Sequence, residues 1–181
     1  VKLGVVFDQK IHAGGGYQQA LNAALLAGQL PADVAEVVYF TTLKENIQAL
    51  AGYGIRAVYM RLPWFAKLCV SLRRTMLHPR LLSLTGRAAA HNPFERILVT
   101  HGIDLVYFLS PIGGARDLEQ LNYIVTVWDL CHRDHPEFPE IRHGREFERR
   151  EINYRNILPR AVAILADSEH GKANMALRYG V

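Results

Sequence analysis

The densest run of chemically capable side chains lies between Trp128 and Glu140, where Asp129, His132, Arg133, Asp134, His135 and Glu137 follow one another closely. They come directly after Ile124 to Trp128, an apolar run that reads as a buried strand. Carboxylates, imidazoles and a guanidinium placed there can hydrogen-bond sugar hydroxyls, position a phosphate, or hold one another in a structured loop. Asp129, at the strand end itself, is the first candidate for chemistry. Asp129, Cys131, His132 and His135 follow no familiar ligand spacing, so no metal is expected. A serine nucleophile is not supported either, because no G-x-S-x-G elbow is present.

A second candidate is the triplet Gly14, Gly15 and Gly16, which lies between the strand-like residues 3 to 8 and the helix face Tyr17, Ala20, Leu21, Ala24 and Leu25. Glycines let a backbone approach a ligand closely, and a helix starting near Tyr17 would point its free amides and dipole at an anion. A glycine-rich turn with no ligand is the plainer alternative. The pattern G-x-G-x-x-G fails at Gln19 and no P-loop lysine follows, which argues against a nicotinamide enzyme and a P-loop nucleotidase. A third group, Asp167, Ser168 and Glu169, follows the apolar run Val162 to Ala166.

These groups need elements to hold them, and strand and helix signals alternate along the chain. Strands are expected at 3–8, 35–41, 55–60, 105–109, 124–128 and 162–166, mostly as continuous apolar runs of the kind covered on both faces. Thr42 and Glu45 have capping-box spacing at the start of one helix. Asn92, Pro93 and Glu95 fit the N-cap, N1 and N3 positions of a short helix that ends at Gly102. Asp167 or Ser168 can cap a last helix that ends at Gly180, and a charged helix is expected at about 145–158. The expected fold is therefore α/β: a Rossmann-like, doubly wound, mainly parallel sheet of about six strands with helices on both faces. In such a sheet ligands bind outside the carboxyl ends of the strands, where the three groups should converge.

Composition is consistent with this. The chain has 181 residues, half of them apolar, with 14 Gly and 8 Pro, which excludes a disordered or collagenous chain. Two cysteines, Cys69 and Cys131, are too few for a disulfide framework, so a cytoplasmic setting is expected. The first residues read as a strand rather than a targeting leader, and no run is long enough to span a bilayer. Between Arg56 and Arg96, eight Lys or Arg stand against one acid, Glu95, whereas the remainder is slightly acidic. Within that segment, residues 64–87 alternate Trp64, Phe65, Leu68 and Leu72 with Lys67, Arg73, Arg74 and Arg80. Such a basic amphipathic stretch can lie peripherally on an anionic membrane at the inner face of the cell, or pack as a helix pair whose charges face water. Nucleic acid is not an expected partner, because no reader motif or aromatic platform accompanies the basic residues.

The glycine loop, the strand ending Thr126-Val127-Trp128-Asp129-Leu130, the Pro- and Glu-containing loop, and Ala163-Ile164-Leu165-Ala166-Asp167-Ser168-Glu169-His170-Gly171-Lys172 followed by Arg178-Tyr179-Gly180-Val181 together resemble the N-terminal half of a GT-B glycosyltransferase of family 4. The likeness spans nearly the whole chain. It implies a retaining hexosyltransferase that moves a sugar from a nucleotide-sugar donor to a saccharide or lipid-linked acceptor, with no cofactor and no metal ion. It also implies that residues 1–181 form one acceptor-side domain, inactive alone, whose donor-binding C-terminal partner is not among them. Carried over residue by residue, Gly14, Gly15 and Gly16 match the loop near the donor phosphates, with Tyr17 beside them. Asp129 matches the aspartate after strand five, with Arg133 nearby, and Ser168 and Glu169 match the turn after strand six. The family's usual histidine before that aspartate is replaced by Trp128, so either His132 takes its role or Trp128 stacks on a sugar ring. The alternative is a nucleotide or sugar-phosphate binding Rossmann domain without transfer activity.

Overall fold

The computed structural model describes residues 1–11, 14–62 and 92–181. The basic amphipathic stretch at 64–87 and Cys69 lie outside the described residues.

Six strands, β1 (Lys2–Val6), β2 (Glu36–Thr41), β3 (Ala57–Tyr59), β4 (Leu105–Phe108), β5 (Asn122–Val127) and β6 (Ala163–Ala166), form one sheet in the order β3-β2-β1-β4-β5-β6. Every pairing is parallel, with Val5 of β1 opposite Tyr39 of β2 on one side and Tyr107 of β4 on the other. This is the doubly wound, Rossmann-like α/β fold. The order in which strands are added reverses between β1 and β4, and a crevice opens there at the carboxyl ends of the strands.

Both faces of the sheet are covered because side chains alternate along each strand. Leu3 and Val5 of β1, with Phe7 just after it, pack with Leu21 and Ala24 of α1 (Gly15–Ala27) and Leu50 of α2 (Lys44–Ala51). Val6 points the other way, into a core with Phe94 and Leu98 of α3 (Pro93–Thr100), Phe108, Val125 and, further along the chain, Tyr154 and Ile157 of α7 (Glu146–Ile157). Three short helices, α4 (Gly113–Arg116), α5 (Cys131–Asp134) and α6 (Pro139–Arg142), shape the crossovers around β5, and α8 (Glu169–Tyr179) follows β6.

Capping follows the sequence at two of three helices. Asn92 Oδ1 accepts from the Phe94 amide at 3.0 Å, with Pro93 next, and Ser168 Oγ accepts from the Gly171 amide at 3.1 Å, with Gly180 left-handed at the far end. The Thr42 capping box does not form, and α2 starts after Leu43 with no side-chain cap. The Thr42 hydroxyl instead donates to Asp8 Oδ2 at 3.0 Å, because the parallel register brings the end of β2 beside the end of β1. Glu95 likewise serves tertiary structure. Fully buried, its carboxylate accepts from the amides of Glu119, Gln120 and Leu121, and so fixes the approach to β5 against α3.

One apolar run is not covered as expected. Val162 and Leu165 stand 57% and 46% exposed at the β6 edge of the sheet. An apolar run records a preference for burial but does not specify which element supplies it.

Candidate functional site

The crevice at the switch point between β1 and β4 has a volume of roughly 640 Å³. Asp8, Gln9 and Lys10 enter it from the end of β1, Gly16 from α1, Ser110 from the end of β4, Trp128 and Asp129 from the end of β5, and Arg149, Arg150 and Asn153 from α7. The side-chain amide of Gln9 donates to Ser110 Oγ at 2.7 Å and closes the floor between the two central strands. Asp8 is turned into the fold. Its carboxylate accepts from the Thr42 amide at 2.6 Å and from the Thr42 and Thr41 hydroxyls. Burial pushes its pKa above the ordinary carboxylate value, and those hydrogen bonds only partly offset the effect.

The helix that meets this crevice begins earlier than expected. Gly14 takes a positive φ of 59°, available to glycine at little cost, so the chain turns straight into α1 and Gly15 and Gly16 form its first turn. Among the described residues no side chain caps that end, and the start of a helix offers amides that suit an anion. A β-carbon on Gly16 would meet only the side-chain oxygen of Gln9, at 4.0 Å, so space lies open above it.

Asp129 stands at the mouth, with its side chain 57% exposed. One carboxylate oxygen accepts from the Cys131 amide at 2.9 Å and lies 3.5 Å from Nη1 of Arg150, while the Asp129 carbonyl accepts from the buried Tyr154 hydroxyl. The side chain is held from behind and free in front, as a group that receives a substrate hydroxyl requires. Trp128 is fixed by its indole N–H, which donates to the Leu109 carbonyl at 2.7 Å and keeps the ring in the crevice wall.

The other sequence candidates are placed elsewhere. His132 has no exposed surface and faces the protein interior, with Nε2 3.1 Å from Glu151 Oε1 and 3.0 Å from the Tyr179 hydroxyl. Burial lowers its pKa, against the pull of Glu151, and among the described residues its Nδ1 has no hydrogen-bond partner. Arg133 is spent on the same Glu151, through Nε at 2.6 Å and a second contact from Nη2. Tyr17 is core, packed edge-on against Phe7 at 5.3 Å. Ser168 and Glu169 line a separate groove of about 900 Å³ along β6. Gly14 and Gly15 lead into the crevice without lining it. Gly16, Trp128 and Asp129 therefore meet at one site, and His132 and Arg133 support it from the core. Among the described residues no group of three or more His, Cys, Asp or Glu side chains converges on a point.

The sequence alone did not single out Lys10, Arg149 or Arg150. Arg149 and Arg150 sit in the first turns of α7 and share one acid: Arg149 binds Glu146 through two nitrogens at 2.7 Å, and Arg150 Nε binds it at 2.8 Å. Burial raises the Glu146 pKa, but the two guanidiniums more than offset this and leave it below the usual carboxylate value. An adjacent Arg-Arg pair on a helix whose inward stripe is Tyr154 and Ile157 was the available signal. Only the packing of α7 shows that the pair reaches a crevice rather than open solvent.

The fold and site define a Rossmann-like α/β unit with a polar switch-point crevice. No protein-family model matches the chain, and no curated protein sequence is significantly similar to it.

Proposed function

We propose that the chain is the acceptor-side domain of a retaining glycosyltransferase, which moves a sugar from a nucleotide-sugar donor to a saccharide or lipid-linked acceptor. The observation that carries the reading is the meeting of Gly16, Trp128 and Asp129 in one crevice at the switch point. The uncapped start of α1 suits the donor phosphates. The fixed indole of Trp128 suits the apolar face of a sugar ring, and the exposed carboxylate of Asp129 suits an acceptor or donor hydroxyl. His132, with no surface to offer, is assigned the supporting role, so Trp128 stands where a family member would carry its histidine. Transfer needs donor and acceptor brought together, and this unit turns over only when joined to a donor-binding domain.

The test is a panel of nucleotide sugars offered with simple saccharide and lipid-linked acceptors to the protein carrying both domains, with product detected by mass spectrometry. Sugar transfer that Asp129→Asn reduces by a hundredfold or more supports the reading. Absence of transfer across the panel, together with tight binding of mixed-sequence DNA, overturns it.

A further inference from the structure

Three carboxylates, Asp8, Asp129 and Glu146, and three cations, Lys10, Arg149 and Arg150, line the crevice, but they are not equally engaged. Asp8 is engaged by Thr41 and Thr42, and Asp129 is held by the Cys131 amide as well as by Arg150. Arg149 and Arg150 share the carboxylate of Glu146, and Arg150 also reaches Asp129 through Nη1 at 3.5 Å. Lys10, from a different element, lines the same crevice and makes no ion pair among the described residues. The two guanidiniums are oriented by Glu146 through Nε and one further nitrogen of Arg149 and through Nε of Arg150, and among the described residues Nη1 of Arg149 and Nη2 of Arg150 have no hydrogen-bond partner. A planar fork held in place by a buried-side carboxylate loses little freedom on binding, and it matches the oxygens of a phosphoryl group.

We propose that Arg149 and Arg150, with Lys10, form a subsite for a phosphoryl group of the substrate, so that the crevice takes a phosphorylated ligand in preference to a neutral sugar. This rests on the glycosyltransferase reading only for the identity of that ligand: a sugar phosphate as acceptor, or the diphosphate of a nucleotide-sugar donor. The subsite is distinct from the start of α1, since its donors are side chains of α7 and of the β1 end. Glu146, which also lines the crevice, is assigned as a positioning residue because it holds both guanidiniums.

The experiment is an amide-shift NMR titration of the 181-residue chain with inorganic phosphate, glucose 6-phosphate, glucose and UDP-glucose, at low and moderate salt. Phosphate and glucose 6-phosphate are expected to shift the amides of Gly16, Asp129 and Arg150, and glucose to bind at least roughly tenfold more weakly than glucose 6-phosphate. The Arg149→Ala, Arg150→Ala double variant should weaken glucose 6-phosphate by roughly tenfold or more, and by more than it weakens glucose. Should the double variant fail to fold, Arg149→Gln at a largely exposed side chain repeats the measurement, as does Lys10→Ala. Loss confined to glucose 6-phosphate assigns the phosphoryl group to an acceptor, and loss confined to UDP-glucose assigns it to the donor. Equal affinity of every phosphorylated probe for wild type and variants overturns the subsite. If UDP-glucose binds but phosphate binding ignores the variants, the subsite fails and the glycosyltransferase reading stands. If phosphate binding depends on the arginines and no nucleotide sugar binds, the reverse holds.

Discussion

The hydroxyl of Tyr179 donates a 2.6 Å hydrogen bond to Oε1 of Glu151, which ties the last turn of α8 to the middle of α7. Glu151 also receives Arg133, Arg155 and His132, so one carboxylate joins α5, α7 and α8 behind the crevice wall. Removing the hydroxyl in Tyr179→Phe should cost about 1–2 kcal/mol, since the remaining partners still satisfy the carboxylate. Glu151→Ala should cost about 3–5 kcal/mol, because it leaves Arg133 and His132 without their acid. Urea unfolding of the three proteins at neutral pH measures both. A Tyr179→Phe loss equal to that of Glu151→Ala would show that the hydroxyl, not the charge, organises the cluster.

The same cluster makes the protein acid-sensitive in a stated window. Burial raises the Glu151 pKa, but Arg133 and Tyr179 more than offset it and bring it down to about 2. A depressed folded-state value contributes stability that is complete above the unfolded value near 4.5 and is lost as pH falls from there toward about 2, to the extent of roughly 3 kcal/mol. His132, with a pKa below its ordinary 6.5, adds loss in the same direction, which starts as pH drops below about 6.5 because the unfolded chain takes up the proton first. Stability should therefore rise with pH from about 2 to about 7. Glu151→Gln should flatten the lower part of that profile and His132→Gln the upper part. A denaturant midpoint that is constant from about pH 2 to 7 would contradict the assignment.

Glu95 gives a separate prediction within the fold. Its carboxylate takes three successive amides and has no access to water. Glu95→Ala should cost about 3 kcal/mol or more, and Glu95→Gln about half of that, because an amide oxygen accepts without the charge. Thermal unfolding followed by circular dichroism separates the two. Equal and small effects would mean that water replaces the carboxylate.

At the crevice, activity and stability should separate. Gly16→Val adds its side chain into open space, and Asp129→Asn keeps an oxygen for the Cys131 amide. Each should change unfolding free energy by about 1 kcal/mol or less. Under the proposed function each should reduce transfer a hundredfold or more when assayed with the donor-binding domain present. Activity that falls only in proportion to folded protein would move the chemistry away from these two residues.

Much of the fold was legible in the sequence because local signals and burial pattern coincide there. All six strands appear within a few residues of where apolar runs place them; for those covered on both faces this is because nearly every position must be apolar, and β6 keeps its apolar run although it is partly exposed. Asn92 and Ser168 cap as their types and spacing require, because an N-cap is a contact between residues two or three apart. Thr42 and Glu95 carry equally good local signals, yet Thr42 binds Asp8 and Glu95 binds 119–121. Their alternatives are long-range, and only the parallel register and the docking of α3 bring those partners within reach. The site divides in the same way. Gly16 and Asp129 were marked by their positions after strands, which the topology rule fixes in advance. The inward turn of His132 on α5 and the reach of Arg149 and Arg150 into the crevice depend on how α5 and α7 pack together, through contacts such as His132 on Tyr154, and on the burial of Tyr154 and Ile157 in the core.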